Sequence, residues 1–210
     1  MQTKYNVSVN ILRDAERDIH YISTPNAEKI VNQISNDFKK GIRSFTMVGS
    51  YGTGKSSFLW AFQQTLSKKR KVFKNDVNLL TNPQVNFINI VGEYDSIREV
   101  FADEFGVKVN RNLTQNILSE IYNRYHDLGK KNPLLVIVID EFGKFLEYAS
   151  QNNPEEELYF IQQLAEFANN DDYNIVLLTT IHQNFDAYAL SLGREQRAEW
   201  TKVKGRFKEV

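Results

Sequence analysis

The sequence predicts an α/β protein of three layers, α/β/α, built on a five-stranded and mainly parallel sheet. Three observations carry that expectation. Short apolar runs alternate with stretches of helical periodicity, the pattern of strands joined by crossover helices. Two of the runs, "PLLVIVID" (Pro133–Asp140) and "NIVLLTT" (Asn174–Thr180), are continuously apolar rather than alternating, so both faces of those strands must be covered. A glycine-rich stretch, "GSYGTGKS", stands directly between a strand and a helix.

The first helix starts with Thr24 as N-cap and Pro25 at its first position, and Gly41 closes it. Arg43–Gly49 reads as a short buried strand running into the glycines, with a helix from about Lys55 to Ser67 behind them. The next strand is Val85–Gly92, followed by helical stretches near Ser96–Phe105 and Asn112–Leu128. After Pro133–Asp140, the most apolar run of the chain, helices fit Phe142–Ser150 and Pro154–Asn169. The second of these has Glu155, Glu156 and Glu157 in its first turn, where the helix dipole favours acids. Beyond Asn174–Thr180 one helical stretch is expected from about Asn184 to Lys202, and "GRFKEV" opens a fifth strand. At 210 residues the chain holds one core, with residues 1–41 a segment and helix ahead of it and residues 42–210 the core itself. The fifth strand ends with the chain, which leads to the expectation of a first domain of a longer protein.

Composition narrows the chemistry. Lys plus Arg and Asp plus Glu number 26 each, so no net field steers the chain toward nucleic acid, although a local basic patch is not thereby excluded. Cysteine is absent and the three histidines (His20, His126, His182) are scattered, which argues against thiolate and histidine metal sites. The N-terminal stretch has no long apolar run and no segment suits a membrane span, so a cytoplasmic protein with no membrane partner is expected.

Gly49-Ser50-Tyr51-Gly52-Thr53-Gly54-Lys55-Ser56 fits G-x-x-x-x-G-K-[ST] without a mismatch, in the strand–loop–helix context the motif requires. Glycines let the backbone curl so that successive N–H groups point at phosphate oxygens, and the helix beginning at Gly54 adds its positive end beneath them. Lys55 would place its ammonium on the β- and γ-phosphates, Ser56 its hydroxyl on Mg²⁺, and Ser57 completes the nucleotide-binding set. Asp140-Glu141, at the end of the most apolar strand, is a second and independent signal. An acid there can hold Mg²⁺ opposite Ser56, and the adjacent Glu141 can polarise a water for attack on the γ-phosphate. "DEFG" is not a protein-kinase signature, because Asp140 is followed by Glu and no H-R-D loop precedes it.

The glycine loop (Walker A), an intervening strand, then hydrophobic-Asp-Glu (Walker B), then a strand ending in a small polar residue resemble the additional-strand catalytic-Glu class of P-loop ATPases. Within that class the chain is similar to AAA+ proteins, particularly the initiator and STAND-like branches, over about residues 20 to 210. The stretches "NILRDAERDIHYISTPNA", "YGTGKSSFLWAF" and "EWTKVKGRF" also resemble the N-terminal ATPase module of large bacterial proteins, including some anti-phage defence ATPases. The AAA+ resemblance implies a sensor residue at the tip of the strand after Walker B; "LLTTIHQ" offers Thr179, Thr180, His182 and Gln183, with Thr180 the first choice. It implies an arginine finger acting on a neighbouring subunit, for which Gly205-Arg206-Phe207 supplies Arg206, and adenine contacts ahead of the first helix, for which "YISTPNA" supplies Tyr21 and Ile22. It further implies a helical lid after the fifth strand, which this sequence lacks.

The expected activity is Mg²⁺-dependent ATP hydrolysis in an oligomeric assembly or together with further domains of the same protein. ATP is favoured over GTP because no N-K-x-D-like motif is visible. Two purposes are open: work on a nucleic acid or protein, or a nucleotide-gated switch with slow hydrolysis. The basic run "SKKRKVFK" (Ser67–Lys74) reads as a solvated helix end, with contact to a nucleic-acid backbone as the alternative. Phe58, Trp60 and Phe62 read as core, as do Tyr122, Tyr125 and His126, for which a partner surface is the alternative.

Overall fold

The computed structural model describes residues 9–77, 79, 84–126 and 133–210. The first eight residues of the expected N-terminal segment, and the end of the helix expected to reach Leu128, lie outside the described residues. The elements run, in chain order, α1 (Pro25–Phe38), β1 (Ser44–Val48), α2 (Lys55–Leu66), β2 (Val85–Val91), α3 (Ile97–Phe105), α4 (Leu113–Tyr125), β3 (Leu134–Asp140), α5 (Phe142–Gln151), α6 (Pro154–Asn169), β4 (Ile175–Ile181), α7 (Arg194–Lys204) and β5 (Lys208–Glu209). A short 3₁₀ helix, Phe185–Ala189, sits between β4 and α7. The Thr24 side chain accepts from the Ala27 amide at 3.2 Å and Pro25 follows it, the start the sequence signals.

The sheet order is β2-β3-β4-β1-β5, and every pairing is parallel. Period-two alternation splits the strands between two cores. Leu134, Val136 and Val138 face a cluster with α1 and α2, and it includes Phe58, Trp60 and Phe62 as the sequence suggests. Leu135, Ile137 and Ile139 face a second cluster built by α3 to α7. Both faces of β3 and β4 are therefore covered: every position is buried, and all but Asp140, Thr179 and Thr180 are apolar. The register sets Val48 beside Ile181, Val91 beside Asp140 and Ile139 beside Thr179. The C-terminal ends of the four long strands thus meet at one edge of the sheet.

The helix expected over about Asn184 to Lys202 is two elements. The Asn184 side chain caps the 3₁₀ turn, accepting from the Ala187 amide at 2.9 Å. The chain then breaks so that Leu192 enters the core, and Gly193, a poor interior helix residue, becomes the cap of α7. Arg197 donates to the Leu192 and Leu190 carbonyls at 2.9 and 3.0 Å, satisfying backbone groups that the break leaves over.

The basic run after α2 is tied down by ion pairs of its own chain. Lys69 pairs with Glu16 at 2.8 Å, Arg70 with Asp18 at 2.6 Å and Lys71 with Asp76 at 3.2 Å. Tyr122 and His126 stack at 4.5 Å, with Tyr173 edge-on to both, so this aromatic set packs on itself at the far end of α4.

Leu177 is fully buried in β4 between β1 and β3. Leu177→Ala is expected to cost about 2–5 kcal/mol, read as a lower urea midpoint at unchanged m-value.

Candidate functional site

The loop between β1 and α2 curls as its glycines permit. Gly52 and Gly54 have φ of 77° and 86°, a left-handed backbone that any side chain would strain, and Gly54 forms the cap of α2 with no side chain over the helix end. The amides of the first turn of α2 are left pointing into the loop. Thr53 Oγ1 donates to the Ser50 carbonyl at 2.8 Å and braces the curl. The Lys55 ammonium donates to the Gly49 and Ser50 carbonyls at 2.5 and 3.0 Å, so it lies across the loop's mouth. Burial pulls the Lys55 ammonium below its ordinary pKa, against the opposing pull of Asp140 and Glu141.

Opposite the loop, β3 ends in Asp140, which is 4% exposed. Thr180, level with it on β4 and 1% exposed, donates its hydroxyl to Asp140 Oδ1 at 2.6 Å. The Glu141 amide donates to Thr180 Oγ1 at 2.9 Å and to Asp140 Oδ1 at 3.1 Å. Glu141 itself is left-handed, with φ of 54°, and caps α5. That conformation costs a non-glycine residue about 1–2 kcal/mol and persists because the amide is held on one side and the carbonyl is packed on the other. The packing partner is Gly92, just beyond β2, where an added Cβ would stand 2.2 Å from the Glu141 carbonyl oxygen. The Gly92 amide also donates to the Asp140 carbonyl at 2.7 Å.

The loop and the two strand ends enclose a cavity of about 340 Å³ lined by Tyr51, Gly52, Gly54, Lys55, Ser56, Ser57, Asp140, Glu141, Thr180 and His182. A second cavity, about 570 Å³, opens on the other side of Gly54 and Lys55 and is lined by Tyr21, Ile22, Gly49, Thr53 and Phe58 among others. Burial pushes the Tyr21 hydroxyl up to about 12, with Glu28 adding to the shift. One polyanionic ligand with a flat ring could span the two. A larger groove, about 810 Å³, lies elsewhere, between α6 and α7. Its charged lining is Glu155, Glu195 and Glu199 against Arg194, with no glycine loop, and it suits no phosphate.

Among the sequence-derived candidates the structure groups Tyr51, Gly52, Gly54 to Ser57, Asp140, Glu141 and Thr180 around one cavity and Tyr21, Ile22 and Thr53 around its neighbour. Gly49 lines the neighbouring cavity, and the Ser50 carbonyl accepts from Lys55 and Thr53. Arg206 is not among them. It stands just before β5, at the opposite end of the sheet, where its guanidinium bonds Glu166 of α6 at 2.7 and 2.9 Å.

Lys144 and Gly92 of this neighbourhood carry no signal read from the sequence, and His182, one of the four sensor candidates, has contacts the sequence does not show. His182 stacks on Tyr51 of the loop at 4.6 Å and stands 3.7 Å from Glu147. Lys144 bonds the Glu141 carboxylate at 2.8 Å, an i,i+3 pair that helical spacing alone could have flagged. Gly92 closes an expected strand, and nothing in its local sequence shows that another backbone approaches it.

Among the described residues no cluster of three or more His, Cys, Asp or Glu side chains could hold a metal. A magnesium ion needs no such cage, since it keeps several waters and takes the rest of its ligands from one or two protein groups and phosphate oxygens. The donor set fits that mode. Thr180 and the Glu141 amide both engage Oδ1 of Asp140, which leaves Oδ2 to face a hydrated cation, and the Ser56 hydroxyl lies on the same cavity.

The family model for the AAA domain matches residues 39–186, which spans the loop, β3 and β4. The chain belongs to the AAA domain family. Solved structures share the fold of this AAA domain at low sequence identity. It is similar to the Aeropyrum pernix ORC2 protein in its ADPNP-ADP complexes, at 16% identity and a TM-score of 0.50 over 92% of this chain and 50% of that one. It is similar to C. elegans PCH-2 at 16% identity and a TM-score of 0.52, over 90% of this chain and 43% of that one. It is similar to Drosophila ORC bound to DNA at 13% identity and a TM-score of 0.50, over 98% of this chain and 54% of that one. The chain thus spans about half the length of these structures. No curated protein matches it in a sequence search. Among the described residues no helix of this AAA domain is long and apolar enough to cross a membrane.

Gly92→Ala is expected to cost about 1–3 kcal/mol and to displace the Glu141 turn. A lower thermal midpoint would show the cost; an unchanged midpoint would mean the contact relaxes freely.

Proposed function

We propose that this AAA domain binds ATP with Mg²⁺ and hydrolyses it. The observation that carries the proposal is the single cavity shared by the Gly49–Ser56 loop, the Asp140–Glu141 strand end and Thr180. The loop amides and Lys55 take the phosphates, and Ser50 and Ser57 complete the loop's contacts. The adenine lies toward Tyr21 and Ile22 in the adjoining cavity. Ser56 Oγ and Asp140 Oδ2 are the groups assigned to the cation, which when bound would neutralise phosphate charge and polarise the γ-phosphate.

Glu141 is the assigned general base. Water attacks the γ-phosphorus and its proton passes to the Glu141 carboxylate. The bond from that phosphorus to the bridging oxygen breaks, leaving ADP and inorganic phosphate. Thr180 is assigned a positioning role rather than direct contact with phosphate, because its one proton is given to Asp140 and its oxygen accepts the Glu141 amide. Arg206 is assigned to the site of a neighbouring copy, for which it would first leave Glu166.

Two accounts of purpose remain from the fold. Structures of this fold include one in ADPNP-ADP complexes and one bound to DNA, which supports an ATP-driven machine acting on nucleic acid within an assembly. The equal counts of basic and acidic residues, and the ion-paired basic run, lend DNA no further support. The second account, a nucleotide-gated switch with slow hydrolysis, is favoured by the engagement of Glu141 with Lys144 at 2.8 Å.

The deciding assay is Mg-ATP turnover by the wild type and Glu141→Gln, with and without DNA. Glu141→Gln is expected to lower kcat about 10²–10⁴-fold with ATP still bound. Equal turnover in the two proteins would remove Glu141 from its role. Tyr21→Ala is expected to weaken ATP binding, read by calorimetry, while inorganic triphosphate binds as before; unchanged ATP affinity would place the adenine elsewhere.

A further inference from the structure

Two residues from ahead of the first helix, Val9 and Asn10, line the phosphate cavity together with Gly54, Ser57 and Glu141. The segment that carries them runs along α2. Ile11 is buried in the core with Phe58 and Trp60. Gln64 of α2 donates to the Ala15 carbonyl at 2.9 Å, and Glu16 and Asp18 pair with Lys69 and Arg70 beyond the helix end. The basic run therefore helps to tie this segment down, and Asn10 is left at the end of α2 that faces the loop.

The Asn10 amide donates to Asp14 Oδ2 at 2.9 Å, and the Asp14 amide donates back to the Asn10 carbonyl at 2.9 Å. Asp14 is buried, and Arg13 bonds both of its carboxylate oxygens. The Asn10 side-chain oxygen accepts from the Leu12 and Arg13 amides at 2.9 and 3.0 Å. Only the oxygen of a carboxamide accepts from N–H groups, so the turn itself orients the side chain. Both lone pairs of Oδ1 are thereby taken, and Nδ2 has no hydrogen-bond partner among the described residues. Asn10 has donors to offer and no acceptor, which suits a phosphate oxygen and not a cation.

We propose that the Asn10 carboxamide donates to the terminal phosphoryl group of the bound nucleotide, so that this segment distinguishes a triphosphate from a diphosphate. The proposal deepens the reading of the cavity as an ATP site and rests on it. Placement selects the γ-phosphate. Asn10 shares its cavity with Asp140 and Glu141, the groups assigned to the cation and the attacking water, and does not line the cavity assigned to the adenine. Because the turn has already fixed the amide, little order is lost when it binds. The contrasting role is a residue that only closes its own turn.

The test measures binding of ADP and of a non-hydrolysable ATP analogue, each with Mg²⁺, by calorimetry in the wild type, Asn10→Asp and Asn10→Ala. Aspartate keeps an oxygen for the Leu12 and Arg13 amides, so the turn is retained while the donor is lost. Alanine loses turn and donor together, and is expected to lower the thermal midpoint of the nucleotide-free protein. Both variants are expected to narrow the ratio of analogue to ADP affinity about tenfold, the worth of a hydrogen bond to a charged group. A residue that only closes its turn would leave Asn10→Asp like the wild type, and Asn10→Ala would weaken both nucleotides equally.

An unchanged ratio in Asn10→Asp would mean that the amide reaches no terminal phosphate. An unchanged ratio in Asn10→Ala would mean that no bond was there to lose. Either result overturns the proposal while the nucleotide site stands. A wild type that binds neither nucleotide would overturn the functional reading together with this one.

Discussion

The Thr180 hydroxyl gives its proton to Asp140 and accepts the Glu141 amide, and through these two bonds the tip of β4 fixes the turn that ends β3. Without them the Asp140 carboxylate, almost wholly buried, would lack a donor at Oδ1 other than the Glu141 amide, and the left-handed Glu141 would lose part of what holds it. The turn sets Glu141 on the cavity beside the phosphate loop and starts α5 at an angle that brings Lys144 back onto the Glu141 carboxylate. A single polar contact between neighbouring strands therefore sets the direction of the acid, the base and the helix behind them.

That contact is available only because of the sheet order. β4 lies between β1, which feeds the loop, and β3, which ends in the acids, so the loop and Asp140 face each other across the width of one strand. The two long parallel pairings hold this spacing, and the cores on the two faces hold the sheet. One polar pair between β1 and β4 is partnered in the same economical way. Thr46 and Thr179 share a hydrogen bond of 2.6 Å across β1 and β4, one register step below Thr180. Thr179 faces the opposite side of the sheet from Thr180, so this pair ties β1 to β4 while Thr180 alone reaches the site.

Much of this was legible in the sequence. Continuous apolar runs marked β3 and β4 as covered on both faces, and G-x-x-x-x-G-K-[ST] has a geometry so constrained by its glycines that loop, helix start and lysine could be placed by number. Local signals failed where tertiary contacts decide. The stretch from Asn184 to Lys202 keeps a helical pattern throughout, yet the burial of Leu192 breaks it and makes Gly193 a cap. Thr180 was the first choice of sensor from its place at the strand tip, and a sequence does not show that its hydroxyl is given to Asp140. Gly92 and His182 carry their roles through residues some 50 and 130 positions away, the Glu141 carbonyl and the Tyr51 ring, and no window of sequence contains both partners. Arg206 was assigned from a short motif, and on its own chain it is bound to Glu166 far from the loop.

The account stands on one nucleotide spanning two adjoining cavities with Lys55 between them. A crystal structure with Mg²⁺ and a non-hydrolysable ATP analogue tests that most directly. The account predicts phosphates against the amides of Gly52 to Ser56, the cation between Ser56 and Asp140, and the adenine beside Tyr21. A nucleotide seated elsewhere, or phosphates in the loop with the adenine turned away from Tyr21, would contradict it.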